Sequence, residues 1–290
     1  HIHHITKSAT VKISQITYNP NTLIIFSNGM KKSLRLTTKV LEDYAMISGQ
    51  KVNHNKSCFL SHASILGVRR RIVAQTIGFH AQSFPVKYLG CPLYSGRQKK
   101  SYFSAICTSV VNRVLSWKEK FLSYGGKLVL IRSVLFSMPI HILAASNPPK
   151  GILRFLENIF ADFLWGASDV GPRVHWIKWE QLCKPYKEGG MGLRSLHHVF
   201  AAFSLKLWWR FRLQQSLWAE FMHLKYNSNL HPCYSEVCPG QSATWRRIID
   251  VQVVAERNIR WILGSENSSF LHDNWLGSWP LCQEVETFQD

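Results

Sequence analysis

The chain has 290 residues, 46% of them apolar, which is enough for two or three small modules and rules out a chain too polar to fold. Lys and Arg number 35 against 17 Asp and Glu, and the resulting charge of +18 points to a polyanionic partner, nucleic acid ahead of a membrane surface or an acidic protein. Residues 1–30 lack an apolar core followed by a cleavage site, and no uninterrupted apolar run reaches about 18 residues, so neither a secretory leader nor a transmembrane helix is expected.

Residues 10–17 alternate, and residues 22–26 are a short β-branched and aromatic run. Tyr18-Asn19-Pro20-Asn21 between them has turn chemistry, so a hairpin over 10–26 is predicted. A helix follows from Ser33 to about Ile47, with Leu34, Leu41, Tyr44 and Ala45 inward and Ser48-Gly49 as its stop. Lys51–Leu60 reads as a loop running into a strand. A short basic helix spans about Arg69–Ile77, and Tyr88-Leu89-Gly90 reads as a strand. From Ser101 the pattern becomes helical. One helix spans about 101–122, a second starts after Gly125-Gly126 and stops before Pro139, and a third runs from Pro149 to Trp165. The expected buried face of these helices includes Phe103, Val110, Val114, Leu128, Ile131, Phe155, Ile159 and Phe163. Val174–Trp179 reads as a strand, Gly189–Gly192 as a glycine turn, and 197–213 and 216–226 as helices. Residues 227–241 read as a linker, followed by a helix and short strands around Trp261 and Phe270.

The seven cysteines are scattered and odd in number, which suits a reducing intracellular compartment, nucleus or cytoplasm, better than a disulfide framework. Cys233 and Cys238 form a C-x4-C pair, but the spacing of the remaining candidates, Cys282 and His231, is poor for zinc. No metal site is expected. His1, His3 and His4 are read as a solvated terminus. The chain starts at His1 without Met and opens on strand-like sequence, which suggests a piece of a larger protein.

An ordered series of segments resembles the reverse transcriptases of plant non-LTR (LINE-type) retrotransposons, RNA-directed DNA polymerases. The series is ITYNPNTLIIFSNG at Ile16–Gly29, SGQKVNHNKSCF at Ser48–Phe59, YLGCPL at Tyr88–Leu93 and WKEKFLSYGGKLVLI at Trp117–Ile131. It continues with Phe163–Gly166, His175–Trp179, Cys183-x-Pro185, Gly189–Leu193, Lys206–Arg210 and FLHDNWLGSWPL at Phe270–Leu281. The resemblance implies the end of a palm, a thumb-like helical region and a connector that in the family precedes a zinc-binding segment. The expected fold is α+β and mainly α, with a truncated palm remnant over 1–100, a helical region over 101–226 and a linker with a small terminal unit over 227–290.

The resemblance also implies roles. Tyr18 matches an aromatic position that the family follows with a small residue and two aspartates. Here Asn19, Pro20 and Asn21 stand instead. Nucleotide transfer uses two divalent ions, and magnesium takes hard oxygen ligands. Pro20 has no side-chain ligand, Asn21 offers a neutral amide oxygen, and no acid precedes Glu42. Catalysis is therefore expected to be lost, with no cofactor, although the intact family uses Mg2+. Lys56 occupies the family position near the leaving pyrophosphate, or is a surface lysine. Tyr88 and Gly90 belong to the primer-gripping segment, where Gly90 permits close backbone approach or simply marks a bulge. Arg69, Arg70 and Arg71, together with Arg97, Lys99 and Lys100, are the candidate phosphate contacts, and Lys184, Lys187, Arg246 and Arg247 extend them. Seven tryptophans from Trp117 to Trp218 are assigned to the core ahead of base stacking.

Three functions compete: a catalytically dead fragment with non-specific affinity for RNA or DNA, an active polymerase, and an interaction module that reuses the helical region without binding nucleic acid. No membrane and no small-molecule substrate are expected.

Overall fold

The computed structural model describes residues 24–62, 64–118, 122–166, 175–227, 231–262, 264, 269–277 and 281. The fold is α+β and mainly α, with sheets of two strands each. The chain divides into two units, His1–Gly96 and Arg97–Asp290.

In the first unit, helix α1 spans Lys31–Ser48 and ends at Gly49, whose backbone is left-handed and whose N–H donates to Ala45 O. That closure is what glycine permits, and it was expected at Ser48-Gly49. Leu34 is buried, Leu41 and Ala45 are half-buried, and Tyr44 is exposed, contrary to the inward position read for it. Strand β1 (Cys58–Leu60) leads through helix α2 (Gly67–Ile77) to strand β2 (His80–Gln82). The two strands pair in parallel, with Phe59 opposite Ala81. A helical crossover is the usual way to return a chain for parallel pairing. The antiparallel strands β3 (Val86–Tyr88) and β4 (Cys91–Leu93) form a hairpin.

Two readings need comment here. The predicted hairpin over 10–26 lies mostly outside the described residues, and its described part, Ile24–Phe26, is not in a strand. Tyr88-Leu89-Gly90 is not a continuous strand. Leu89 (φ 49°) and Gly90 (φ 78°) are the two turn residues between β3 and β4. A two-residue turn with both φ positive matches the twist of the flanking strands. Leucine hides that signal, because non-glycine residues seldom adopt this conformation.

The second unit carries most of the apolar burial. A 3-10 turn at Lys100–Phe103 opens helix α3 (Ser104–Lys118). Helix α4 (Tyr124–Leu130), a π-helical turn (Ile131–Leu135) and helix α5 (Ser137–Ala145) follow as one run. The run therefore passes through Pro139, where the sequence reading stopped it. The π turn resets the hydrogen-bond ladder so that Pro139 falls in the first turn of α5, where its missing N–H is harmless. This 22-residue run is long and apolar enough to cross a membrane by length and composition alone, which corrects the expectation that no such segment exists. Arg132, Ser133, Ser137 and His141 interrupt it letter by letter and obscured its average character. Within the unit Ile131, Leu135, Phe136 and Leu143 are buried.

Helix α6 (Lys150–Trp165) buries Leu153, Leu156, Phe160 and Leu164. Phe155, expected inward, is 45% exposed, while Val114 and Ile159 are half-buried. The strand read at Val174–Trp179 is absent over its described part. His175–Lys178 is irregular and Trp179 starts helix α7 (Trp179–Leu182). The glycine turn is present. A Cβ on Gly190 would overlap the Lys184 carbonyl, so only glycine fits there.

Helices α8 (Leu196–Leu213) and α9 (Leu217–Tyr226) are capped by Ser195 and Ser216. Glu157 of α6 adds a second cap, accepting from Leu196 N at 2.7 Å and from Ser195 Oγ at 2.9 Å. Helices α10 (Ala243–Ile249) and α11 (Gln252–Asn258) close a cluster of Trp208, Phe211, Met222, Trp245, Ile248 and Ala255. Among the described residues no strand forms around Trp261 or Phe270. The tail is instead held by buried charge. Arg212 Nε donates to Glu256 Oε1 at 2.8 Å and Nη2 donates to Asp273, while Trp208 Nε1 donates to Glu256 at 2.7 Å.

Candidate nucleic-acid interface

Of the residues singled out from the sequence, Tyr18, Asn19, Pro20 and Asn21 lie outside the described residues. Lys56 is exposed in a turn organised by Asn53. The Asn53 Oδ1 accepts from Lys56 N at 3.1 Å, and the Asn53 carbonyl accepts from Ser57 N at 3.0 Å and Ser57 Oγ at 2.8 Å. This Asn-centred turn directly precedes β1. The neighbouring His54 packs its ring on Phe79 at 5.4 Å and lies against Gly78, just past the C-terminal end of α2.

Arg69, Arg70 and Arg71 sit in the first turns of α2, at its other end. Eleven residues of helix span about 16 Å. The structure therefore separates Lys56 from the arginines. The arginines also diverge, because successive helical residues point about 100° apart. Arg69 and Arg71 are exposed. Arg70 is half-buried, with Nη2 donating to His62 O at 3.2 Å. Arg69 borders an open apolar cleft with Met30, Leu66, Val68 and Ile72.

Tyr88 is half-buried at the end of β3, and Gly90 is exposed in the hairpin turn. Arg97, Lys99 and Lys100 are exposed and belong to the second unit. Lys100 leans over Gly151 in the first turn of α6, where a Cβ would come within 3.3 Å of its Nζ.

The proposed extension splits. Lys184, Lys187 and Arg246 are exposed. Arg247 is 4% exposed and is no surface contact. Its guanidinium donates to Ser204 Oγ, Ser146 O and Leu143 O at 2.8, 2.8 and 2.9 Å, and stacks 4.1 Å from the Phe200 ring centroid. Burial pulls its pKa down to about 10. The tryptophans also divide. Trp208 is fully buried, as the core assignment expects, but Trp176 is 80% exposed.

The sequence reading missed a line of cations on α8. That helix contains no Asp or Glu, and His198, Lys206 and Arg210 along it, with Arg194 just before it, are all exposed. The signal was available as near-regular spacing by fours on an acid-free helix.

Burial, reinforced by Glu157 and Glu180, pushes the Cys183 thiol up to about 12, far from a reactive thiolate. Among the described residues, no group of three or more His, Cys, Asp or Glu is placed to hold a metal ion.

No family model matches the chain. It is 33% identical over 197 residues to an Arabidopsis thaliana protein named for ribonuclease H, a match covering 66% of this chain and 32% of that protein. It is 28% identical over 165 residues to an uncharacterized 149 kDa protein of the transposon TX1 of Xenopus laevis, covering 55% of this chain and 12% of that protein. It is 24% identical over 148 residues to an uncharacterized mitochondrial protein of Arabidopsis thaliana, covering 49% of this chain and 92% of that protein. The chain thus has transposon-related relatives, and it spans about a third of the length of the first of them.

Proposed function

We propose that the chain is a C-terminal portion of a LINE-type retrotransposon reverse transcriptase that cannot polymerise by itself and retains non-specific affinity for RNA or DNA. The observation that carries this reading is the ordered series of family segments from Ile16 to Leu281 in a chain of charge +18. Similarity to the transposon TX1 protein supports it. In this reading residues 1–100 are the palm remnant, 101–226 the thumb-like region and 227–290 the connector.

The family's magnesium pair does not fit this donor set. Pro20 has no ligand atom and Asn21 no charge, and carboxylates are what such ions need. Ribonuclease H activity, named for one relative, is not carried over. The chain spans 32% of that relative, so the name of the whole protein assigns no activity to this part.

The test pairs two assays on the whole chain. Primer extension on an RNA template should be absent with magnesium or manganese. Oligonucleotide affinity, read by fluorescence anisotropy, should fall on the order of a thousandfold between about 50 and 200 mM salt if about six phosphates are contacted. Template-dependent synthesis that survives repurification, or affinity indifferent to salt, would refute the proposal.

One observation favours the interaction-module reading. Leu217, Phe221 and Leu224 on α9 are exposed at helical spacing, an apolar stripe suited to a partner helix. A chain that shows no oligonucleotide binding at low salt would leave that reading standing.

A further inference from the structure

We infer that the exposed face of α8 is a second nucleic-acid contact surface, a track for the phosphate backbone distinct from the α2 arginines. This rests on the nucleic-acid reading above and assigns it a place. The exposed residues of α8 are His198, Ala202, Lys206, Trp209 and Arg210, with Arg194 just before the helix. His198, Ala202, Lys206 and Arg210 follow one another at intervals of four, which places them on one ridge of the helix. Arg194, His198, Ala202 and Lys206 border the same open groove, whose floor includes Val199 and Phe203. From His198 to Arg210 the ridge rises about 18 Å, the length of roughly five nucleotides of one stacked strand.

Three features separate this ridge from an ordinary solvated face. First, it is unneutralised. None of Arg194, His198, Lys206 and Arg210 has an ion-pair partner among the described residues, and α8 supplies no acid. Second, Lys206 and Arg210 stand one turn apart, a like-charge pair that costs the isolated helix a few tenths of a kcal/mol. The helix dipole favours Arg210 near the C-terminus, but it gives no reason for Arg194 ahead of the N-terminus. Third, an aromatic plane interrupts the cations. Trp209 is 39% exposed beside Lys206 and Arg210, and its inner edge packs on Trp261 at 5.9 Å. Cations interleaved with a braced aromatic ring are the means by which single-stranded nucleic acid is held without regard to sequence.

The same features argue against a membrane surface. A surface-bound helix puts its apolar face into the lipid. The apolar face of α8 is committed to the protein core through Leu196, Trp208 and Phe211. Trp209 is the one large apolar side chain among the exposed residues of α8.

The test uses the whole chain, a fluorescein-labelled uridine oligonucleotide and its DNA counterpart. Ala202→Glu sets an acid in the middle of the ridge at an exposed, helix-tolerant position, and Ala202→Gln is its uncharged control. The expected result is at least a tenfold loss of affinity at about 50 mM salt for Ala202→Glu and no change for Ala202→Gln. Lys206→Ala with Arg210→Ala should lower the slope of log affinity against log salt by about 1.4, two single-strand contacts' worth. Replacing the same pair as Lys206→Arg with Arg210→Lys should retain the slope. Equal affinity of Ala202→Glu and the parent chain, with loss on Arg69→Ala and Arg71→Ala, would overturn the α8 assignment and leave the nucleic-acid reading intact. Failure of the parent chain to bind either oligonucleotide would overturn both. Binding to phosphatidylserine vesicles without binding to oligonucleotides would overturn it in favour of a membrane surface.

Discussion

Removal of Arg247 should destabilise the second unit, because this side chain ties three segments together. It is buried with no carboxylate partner among the described residues, and its bonds go to Ser204 of α8 and to the carbonyls of Leu143 and Ser146 at the C-terminal end of α5. Those carbonyls are among the last of their helix and have few other donors. Three hydrogen bonds from a charged donor are worth roughly 1.5–3 kcal/mol each. Against them stands the cost of burying the cation, about 3 kcal/mol from a pKa drawn from 12.5 down to about 10. Arg247→Ala removes the bonds, strands two carbonyls and leaves a void beside Phe200, so a net loss of about 3–5 kcal/mol is expected. Arg247→Met keeps much of the volume and should lose about 2 kcal/mol. The assay is urea unfolding followed by tryptophan fluorescence. All 11 tryptophans lie from Trp117 onward, so the signal reports the second unit. An Ala variant within about 1 kcal/mol of the parent would refute the clamp.

At Asp273 the surroundings favour the charged form. Burial alone would raise its pKa, but hydrogen bonds from His231 and from Ser269 N–H and the charge of Arg212 outweigh it and hold the carboxyl at about 2, below the ordinary 3.8. A depressed carboxylate stabilises the fold above its unfolded pKa and loses that contribution as pH falls through the folded one. About 2 kcal/mol should therefore disappear between roughly pH 4 and 2, and the melting temperature of Asp273→Asn should lack that slope. Gly190→Ala forces a Cβ into the Lys184 carbonyl and should cost more than about 3 kcal/mol by the same urea assay. Leu89 carries a positive φ at an exposed turn. Leu89→Gly should therefore stabilise the β3–β4 hairpin by about 1 kcal/mol, read as slower amide exchange at Tyr88 and Cys91.

What was legible in the sequence was what local chemistry decides. The 3.6-residue period, Pro149 ahead of α6 and Gly49 after α1 place α1, α6, α8 and α9 within a residue or two. Strands were poorly legible because each is three residues long and exists through its partner rather than its own propensity. Val174–Trp179 has the composition of a strand, yet Trp179 begins a helix. Arg246 and Arg247 are neighbours of identical type, and only packing reveals that one is a surface cation and the other a core clamp.

Which of the candidate cations share a surface was not legible in the sequence, for a geometric reason. Lys56 and Arg69–Arg71 are close in sequence, and both are basic. The chain between them is a strand followed by the start of a crossover helix. Lys56 enters at the beginning of β1, the arginines follow its end, and α2 then runs back towards the level of Lys56, where His54 meets Phe79. A strand start and the next helix start must lie at opposite ends of such a unit. Proximity in sequence thus works against a shared surface here. The opposite holds on α8, where residues four apart are neighbours in space and the stretch from His198 to Arg210 makes one continuous ridge. A basic residue is therefore better weighed as a phosphate contact by the element that carries it than by its distance along the chain from the next cation.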